Sequence, residues 1–101
     1  MKCKITVLRK TLHKDFAETY CQREVGLCEA FEEGQEFIFE NLKPEKFCSW
    51  AWNDIYKVVL TLMQGGNFGS TWKWMKEDNT MIACCTDGIR PVIFKIERID
   101  D

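Results

Sequence analysis

Six cysteines in 101 residues are the most reactive feature of this chain, and five of them lie where they can act together. Cys21 and Cys28 bracket a stretch containing Gly26, Cys48 precedes a strongly apolar segment, and Cys84 and Cys85 are adjacent. Thiolates are soft donors, so Cys21, Cys28, Cys48, Cys84 and Cys85 are candidate ligands for zinc or an iron–sulfur cluster. The spacing contains no Cys-x-x-Cys knuckle. Plain packing is the competing reading, because free cysteine behaves as a small hydrophobe and is often buried. Zinc–sulfur bonds of ~2.3 Å require the sulfurs to lie within about 4 Å of one another, so their convergence in space decides the matter.

Cys48 has a second chemistry open to it. A thiol beside a helix N-terminus sees the positive end of the dipole, which favours thiolate and makes Cys48 a candidate nucleophile. His13 is the only histidine and would have to serve as its base, although nothing local joins the two. The vicinal pair Cys84-Cys85 suggests redox chemistry, yet neighbours on a strand project to opposite faces, and a ring disulfide would strain the ladder. Trp50, Trp72 and Trp74 are candidate linings of an apolar ligand pocket or of a subunit interface. Arg90 is a further ligand-binding candidate, set against a plain role as the solvent-facing neighbour of Asp87.

The elements that must position these residues are legible in the hydrophobic pattern. Lys2–Lys10 alternates as a half-buried strand, with Leu8 breaking the pattern as if covered on both faces near the strand end. A short helix is expected over Phe16–Tyr20, a loop over Cys21–Cys28, a turn at Glu32-Glu33-Gly34 and a strand over Gln35–Glu40. Cys48–Met63 reads as a long central helix. Trp52, Ile55, Tyr56, Val59, Leu60 and Met63 form its apolar face, and Ala51, Val58 and Leu62 widen that face. Ser49 is the expected N-cap, and Gly65-Gly66 the stop signal. Gly65–Asn79 reads as a long loop with aromatic anchors.

Asp87-Gly88 is the residue pair of a two-residue type I′ turn, which predicts a C-terminal hairpin pairing Cys84 with Pro91 and Ala83 with Val92. Met81, Ala83 and Cys85 would then share the core-facing side with Val92, Phe94 and Ile96, and Cys84 would face away. The expected fold is one α+β domain over residues 1–101, a long central helix packed on a mainly antiparallel sheet that ends in that hairpin.

Composition narrows the function classes. The formal net charge is −2, and Lys and Arg are interleaved with acids, so no basic stripe signals a nucleic-acid partner. No apolar run approaches the length of a membrane span, and no signal-peptide pattern opens the chain. A cytoplasmic setting follows, where six cysteines read as reduced thiols or metal ligands rather than disulfides.

Three stretches carry a resemblance: Phe47-Cys48-Ser49-Trp50-Ala51-Trp52, Gly65-Gly66, and the run from Ala83-Cys84-Cys85-Thr86-Asp87-Gly88 through Arg90-Pro91-Val92 to Arg98. The chain resembles a family of short bacterial and archaeal proteins, many from anaerobes, that has no assigned activity. Cys21 and Cys28, with Phe31 and Gly34, match the same pattern. The resemblance implies that the five-cysteine set is a shared feature, that Cys3 is incidental, and that the setting is a prokaryotic cytoplasm. Three readings of function remain: cysteine-dependent binding of a metal, a cluster or another thiol ligand; a binding or homo-oligomeric assembly module using the tryptophans; and a thiol enzyme centred on Cys48.

Overall fold

The computed structural model describes residues 1–100. Its elements run β1 (Lys2–Lys10), α1 (Lys14–Tyr20), β2 (Glu36–Phe39), α2 (Ser49–Met63), β3 (Thr80–Cys84) and β4 (Val92–Ile99). The strands form one antiparallel sheet in the order β2-β1-β4-β3, which makes this an α+β fold with the first and last strands paired at its centre. Alternation places Cys3, Ile5 and Val7 of β1, Phe37 and Phe39 of β2, and Val92, Phe94 and Ile96 of β4 on one buried face. The opposite face is mixed, with Lys4, Thr6, Glu36, Lys95 and Glu97 beside Ile38, Ile82 and Ile93. There Lys4 Nζ lies 3.6 Å from both Glu36 and Glu97, partly exposed pairs that contribute little individually.

Helix α2 packs on the apolar face. It has 15 residues, an ordinary four-turn helix rather than the long one expected. Its buried residues are Ala51, Ile55, Val58, Val59 and Leu62. Tyr56 and Leu60, expected on the buried stripe, are exposed at its margin, and Trp52 is only partly buried. A single sheet covers one side of a helix, so the broad apolar arc is buried at its middle and wetted at its edges. The N-cap is Cys48, whose side chain makes no capping hydrogen bond. Ser49 is the first helical residue instead, and its Oγ accepts from Lys43 Nζ at 2.8 Å.

The C-terminus of α2 closes as expected. Gly65 takes φ +85, its amide donates to Leu62 O at 3.1 Å, and the Gly66 amide donates to Thr61 O at 2.9 Å. That is a Schellman closure, and glycine meets its left-handed φ without a Cβ clash. Arg98 Nη1 adds a third donor to these carbonyls, 3.1 Å from Leu62 O.

The C-terminal hairpin departs from its predicted register. Ala83 pairs with Phe94 and Cys84 with Ile93, two residues further along β4 than a two-residue turn allows. The connection spans residues 85–91, and Gly88 has no positive φ, so there is no type I′ turn. Asp87 caps the loop instead, its Oδ1 accepting from the Ile89 and Arg90 amides at 2.9 and 3.1 Å. Burial alone would raise the Asp87 carboxyl. The amides of Arg90 and Ile89, with the Arg90 guanidinium, hold it below the usual carboxylate range. Because the slip is even, every side chain keeps its expected face.

One smaller expectation also fails. Leu8 is exposed at a β-bulge between Val7 and Arg9 rather than covered on both faces. Pro91 lies outside β4, and its carbonyl accepts from the Thr11 amide and Thr11 Oγ1 at 3.0 and 2.8 Å.

Phe94 is fully buried and lies against Phe31 and Phe47. Phe94→Ala is expected to destabilise the fold by about 3–5 kcal/mol in chemical denaturation, the range for an aromatic lost from a packed core. Burial pushes the Cys3 thiol up to about 11, against the opposing charge of Arg98. Between about 9 and about 11 the unfolded chain releases this proton while the folded chain keeps it. Stability should therefore fall as pH rises through that window, and Cys3→Ala should flatten this part of a melting-temperature profile.

Candidate functional site

Three segments distant in sequence meet at the N-terminal end of α2 and enclose a cleft of about 970 Å3. One wall is the irregular stretch from Cys21 through Cys28 to Phe31. The second is the start of α2 at Cys48, Trp50 and Ala51. The third is the β3–β4 loop from Cys85 to Arg90, with Val92 behind it.

The cysteine loop has no regular structure of its own and is held at its ends. Its first residue follows α1, where the Cys21 amide donates to Ala17 O at 3.1 Å. Its last residue, Phe31, is 2% exposed, with ring centroids 5.0, 5.1 and 6.0 Å from Phe47, Phe94 and Phe37. These edge-on contacts seat the end of the loop in the core, and Phe31 itself lines the cleft.

The hairpin loop is clamped to α2. Asp54 Oδ2 accepts from the Thr86 amide at 2.7 Å, and Thr86 Oγ1 lies 3.0 Å from both Asp54 oxygens. One turn earlier on the same helix face, Trp50 Nε1 donates to Thr86 Oγ1 at 3.1 Å. Arg90 Nε lies 3.5 Å from Asp87 Oδ2, so this cation is oriented by its own loop.

Cys21, Cys28, Cys48 and Cys85 all line this cleft. Cys85 is buried, and its Sγ accepts from the Val92 amide at 3.3 Å. Cys21, Cys28 and Cys48 are all half-buried, and Cys28 and Cys48 pack against the core. Cys84 is exposed outside the cleft, as its strand parity requires. Desolvation, then the neighbouring Cys85 and Asp54, push the Cys84 thiol up, which disfavours the thiolate a ligand needs. Among the described residues no group of three or more His, Cys, Asp or Glu side chains is disposed to hold a metal ion. The thiols share a cleft without forming a closed tetrahedral centre.

Of the other candidates, Trp50 and Arg90 line the cleft, and Trp72 and Trp74 do not. Both of those tryptophans are 70% exposed on the loop after α2, where Phe68 packs against the core instead. That loop is tied by Asp78, whose carboxylate accepts from the Ser70 amide and hydroxyl at 2.7 and 2.9 Å. His13 is anchored through its backbone to Ile89 O at 2.8 Å, but its ring packs on Phe16 and is absent from the cleft lining. Sequence reasoning missed Asp54 and Thr86. The available signal was that Trp50 and Asp54 stand four apart on one helix face.

No family model, curated protein or solved structure matches this chain.

The clamp has a measurable consequence. Asp54→Ala removes the acceptor for the Thr86 amide, which is exposed enough for water to replace it. The expected loss is about 1 kcal/mol in chemical denaturation, the size of one ordinary hydrogen bond. Trp50 fluorescence should shift with it, because the Thr86 hydroxyl that receives the indole is no longer held.

Proposed function

We propose that this protein is a thiol-dependent binding protein whose cleft takes a small thiophilic ligand, with Cys21, Cys28, Cys48 and Cys85 as the soft donors. The observation that supports this reading is the assembly of four cysteines from three separate stretches along one cleft, with Cys84 left outside. Trp50 and Val92 supply apolar wall, and Arg90 supplies a positive charge on the β3–β4 wall, oriented by Asp87. Mostly apolar clefts with a few convergent polar groups are the usual form of small-ligand sites.

Zinc or an iron–sulfur cluster remains the finer form of this proposal. Because no metal-holding group of side chains is in place among the described residues, a four-sulfur centre would require the cleft walls to rearrange, most readily the loop carrying Cys21 and Cys28. That loop has irregular backbone, and such segments rearrange at lower cost than the packed helix and sheet beneath it.

Reduced protein, purified anaerobically, should be analysed for metal and then titrated with zinc while thiol alkylation is followed by mass spectrometry. The expected result is saturable binding that protects Cys28 and Cys48 from alkylation. Cys28→Ser and Cys48→Ser should each lower the affinity at least tenfold, and Cys84→Ser should leave it unchanged. Metal-free protein that gains no thiol protection on titration overturns the metal form. Equal losses in Cys84→Ser and Cys48→Ser overturn the cleft as the site.

A further inference from the structure

The sheet has two edges, and they are treated differently. Along β2 the edge is charged: Glu36 and Glu40 flank its apolar residues and pair with Lys4 and Lys2. Charges of this kind are how natural proteins keep an open strand from pairing with another chain. Strand β3, at the other edge, reads Thr-Met-Ile-Ala-Cys. It carries no charge, no proline and no bulge.

The outward hydrogen-bonding groups of β3 can be identified from its register. The Cys85 amide donates to Val92 O at 3.2 Å, and the Arg98 amide donates to Asn79 O at 2.8 Å. Residues opposite one another in an antiparallel pair alternate between bonded and non-bonded positions. The odd-numbered residues of β3 therefore spend their backbone groups on β4. Thr80, Ile82 and Cys84 direct theirs away from it, and among the described residues nothing receives them. At one end the Thr86 amide is already taken by Asp54, and at the other the Asn79 side chain turns inward to Arg98 O. The free run is limited to Thr80–Cys84 and centred on Ile82.

We infer that β3 pairs antiparallel with β3 of a second copy of this chain, about a two-fold axis at Ile82, joining the two sheets into one. This register sets Ile82 opposite Ile82 and Thr80 opposite Cys84 of the second copy. Each outward amide then meets an outward carbonyl, and no like charges are opposed. Ile82 is 38% exposed on the outer face, so the pairing covers an apolar side chain that the single chain leaves in water. Exposed Trp74 lines a shallow depression with Thr80, at the point where the Cys84 end of the second strand arrives. None of the residues Thr80–Cys84 lines the thiol cleft, so this inference stands apart from the ligand proposal.

Light scattering coupled to size exclusion, on reduced protein over a range of concentrations, tests it. The expected mass at high concentration is twice the 11.9 kDa of the chain. Ile82→Lys, which places two lysines face to face, should return the mass to a single chain with an unchanged far-ultraviolet spectrum. Ile38→Lys, on the exposed side of the β2 edge, should leave the doubled mass intact. Amide hydrogen exchange of the unmodified protein gives an independent reading. The Thr80, Ile82 and Cys84 amides should become protected as concentration rises, while amides of the β2 edge do not. A single-chain mass at every concentration overturns the inference, as does a doubled mass that survives Ile82→Lys or yields to Ile38→Lys. Protection of the β3 amides that appears only on adding a foreign extended peptide also overturns it.

Discussion

The cleft depends on one aromatic ring. Phe31 terminates a stretch of chain with no helix or strand to hold it, and its burial against Phe37, Phe47 and Phe94 gives that stretch a fixed end. Those partners come from β2, from the approach to α2 and from β4. One side chain thus joins the cysteine loop to three of the parts that surround it. Burying a ring of this size yields a few kcal/mol. The polar loop contributes little burial of its own, since most of its side chains are exposed.

Helix α2 is tied at both ends by polar contacts that apolar burial does not specify. At its start, Trp50 and Asp54 hold Thr86 and fix the hairpin loop over the first turns. At its end, the Gly65-Gly66 closure and Arg98 satisfy carbonyls that the helix cannot satisfy itself. An apolar stripe allows a helix to slide or roll on a sheet, whereas directional hydrogen bonds at each end remove that freedom. The cleft inherits its shape from this restraint, because two of its walls are the groups joined by the Asp54–Thr86 contact.

The expectations that failed share a physical origin. A Pro or Gly signal marks that the chain turns, but the turn's length is set by what the loop can bond to. Asp87 was legible as a turn residue. That its carboxylate would bind the Ile89 and Arg90 amides and open the connection to residues 85–91 was not. The face assignment of Cys84 and Cys85 survived because strand side chains repeat every two residues and the slip was two. That Trp50 lines the cleft while Trp72 and Trp74 stay outside it is not legible in the sequence, since neighbouring aromatics on irregular backbone have no periodicity to reveal which way each turns.

Residue order alone determined the α+β class, the bounds of α2 to within one residue, its glycine stop, the alternation that buries Cys3, Ile5 and Val7, and the opposite facing of the paired thiols. Each of these follows from a short-range period or a local backbone preference. Tertiary structure alone decided that Cys21, Cys28, Cys48 and Cys85 border one cleft, that Asp54 meets Thr86, and that β3 is left as an unguarded edge. These depend on strand order and on the angle at which α2 crosses the sheet. Both result from burying the whole apolar surface at once, and no single stretch of sequence encodes them.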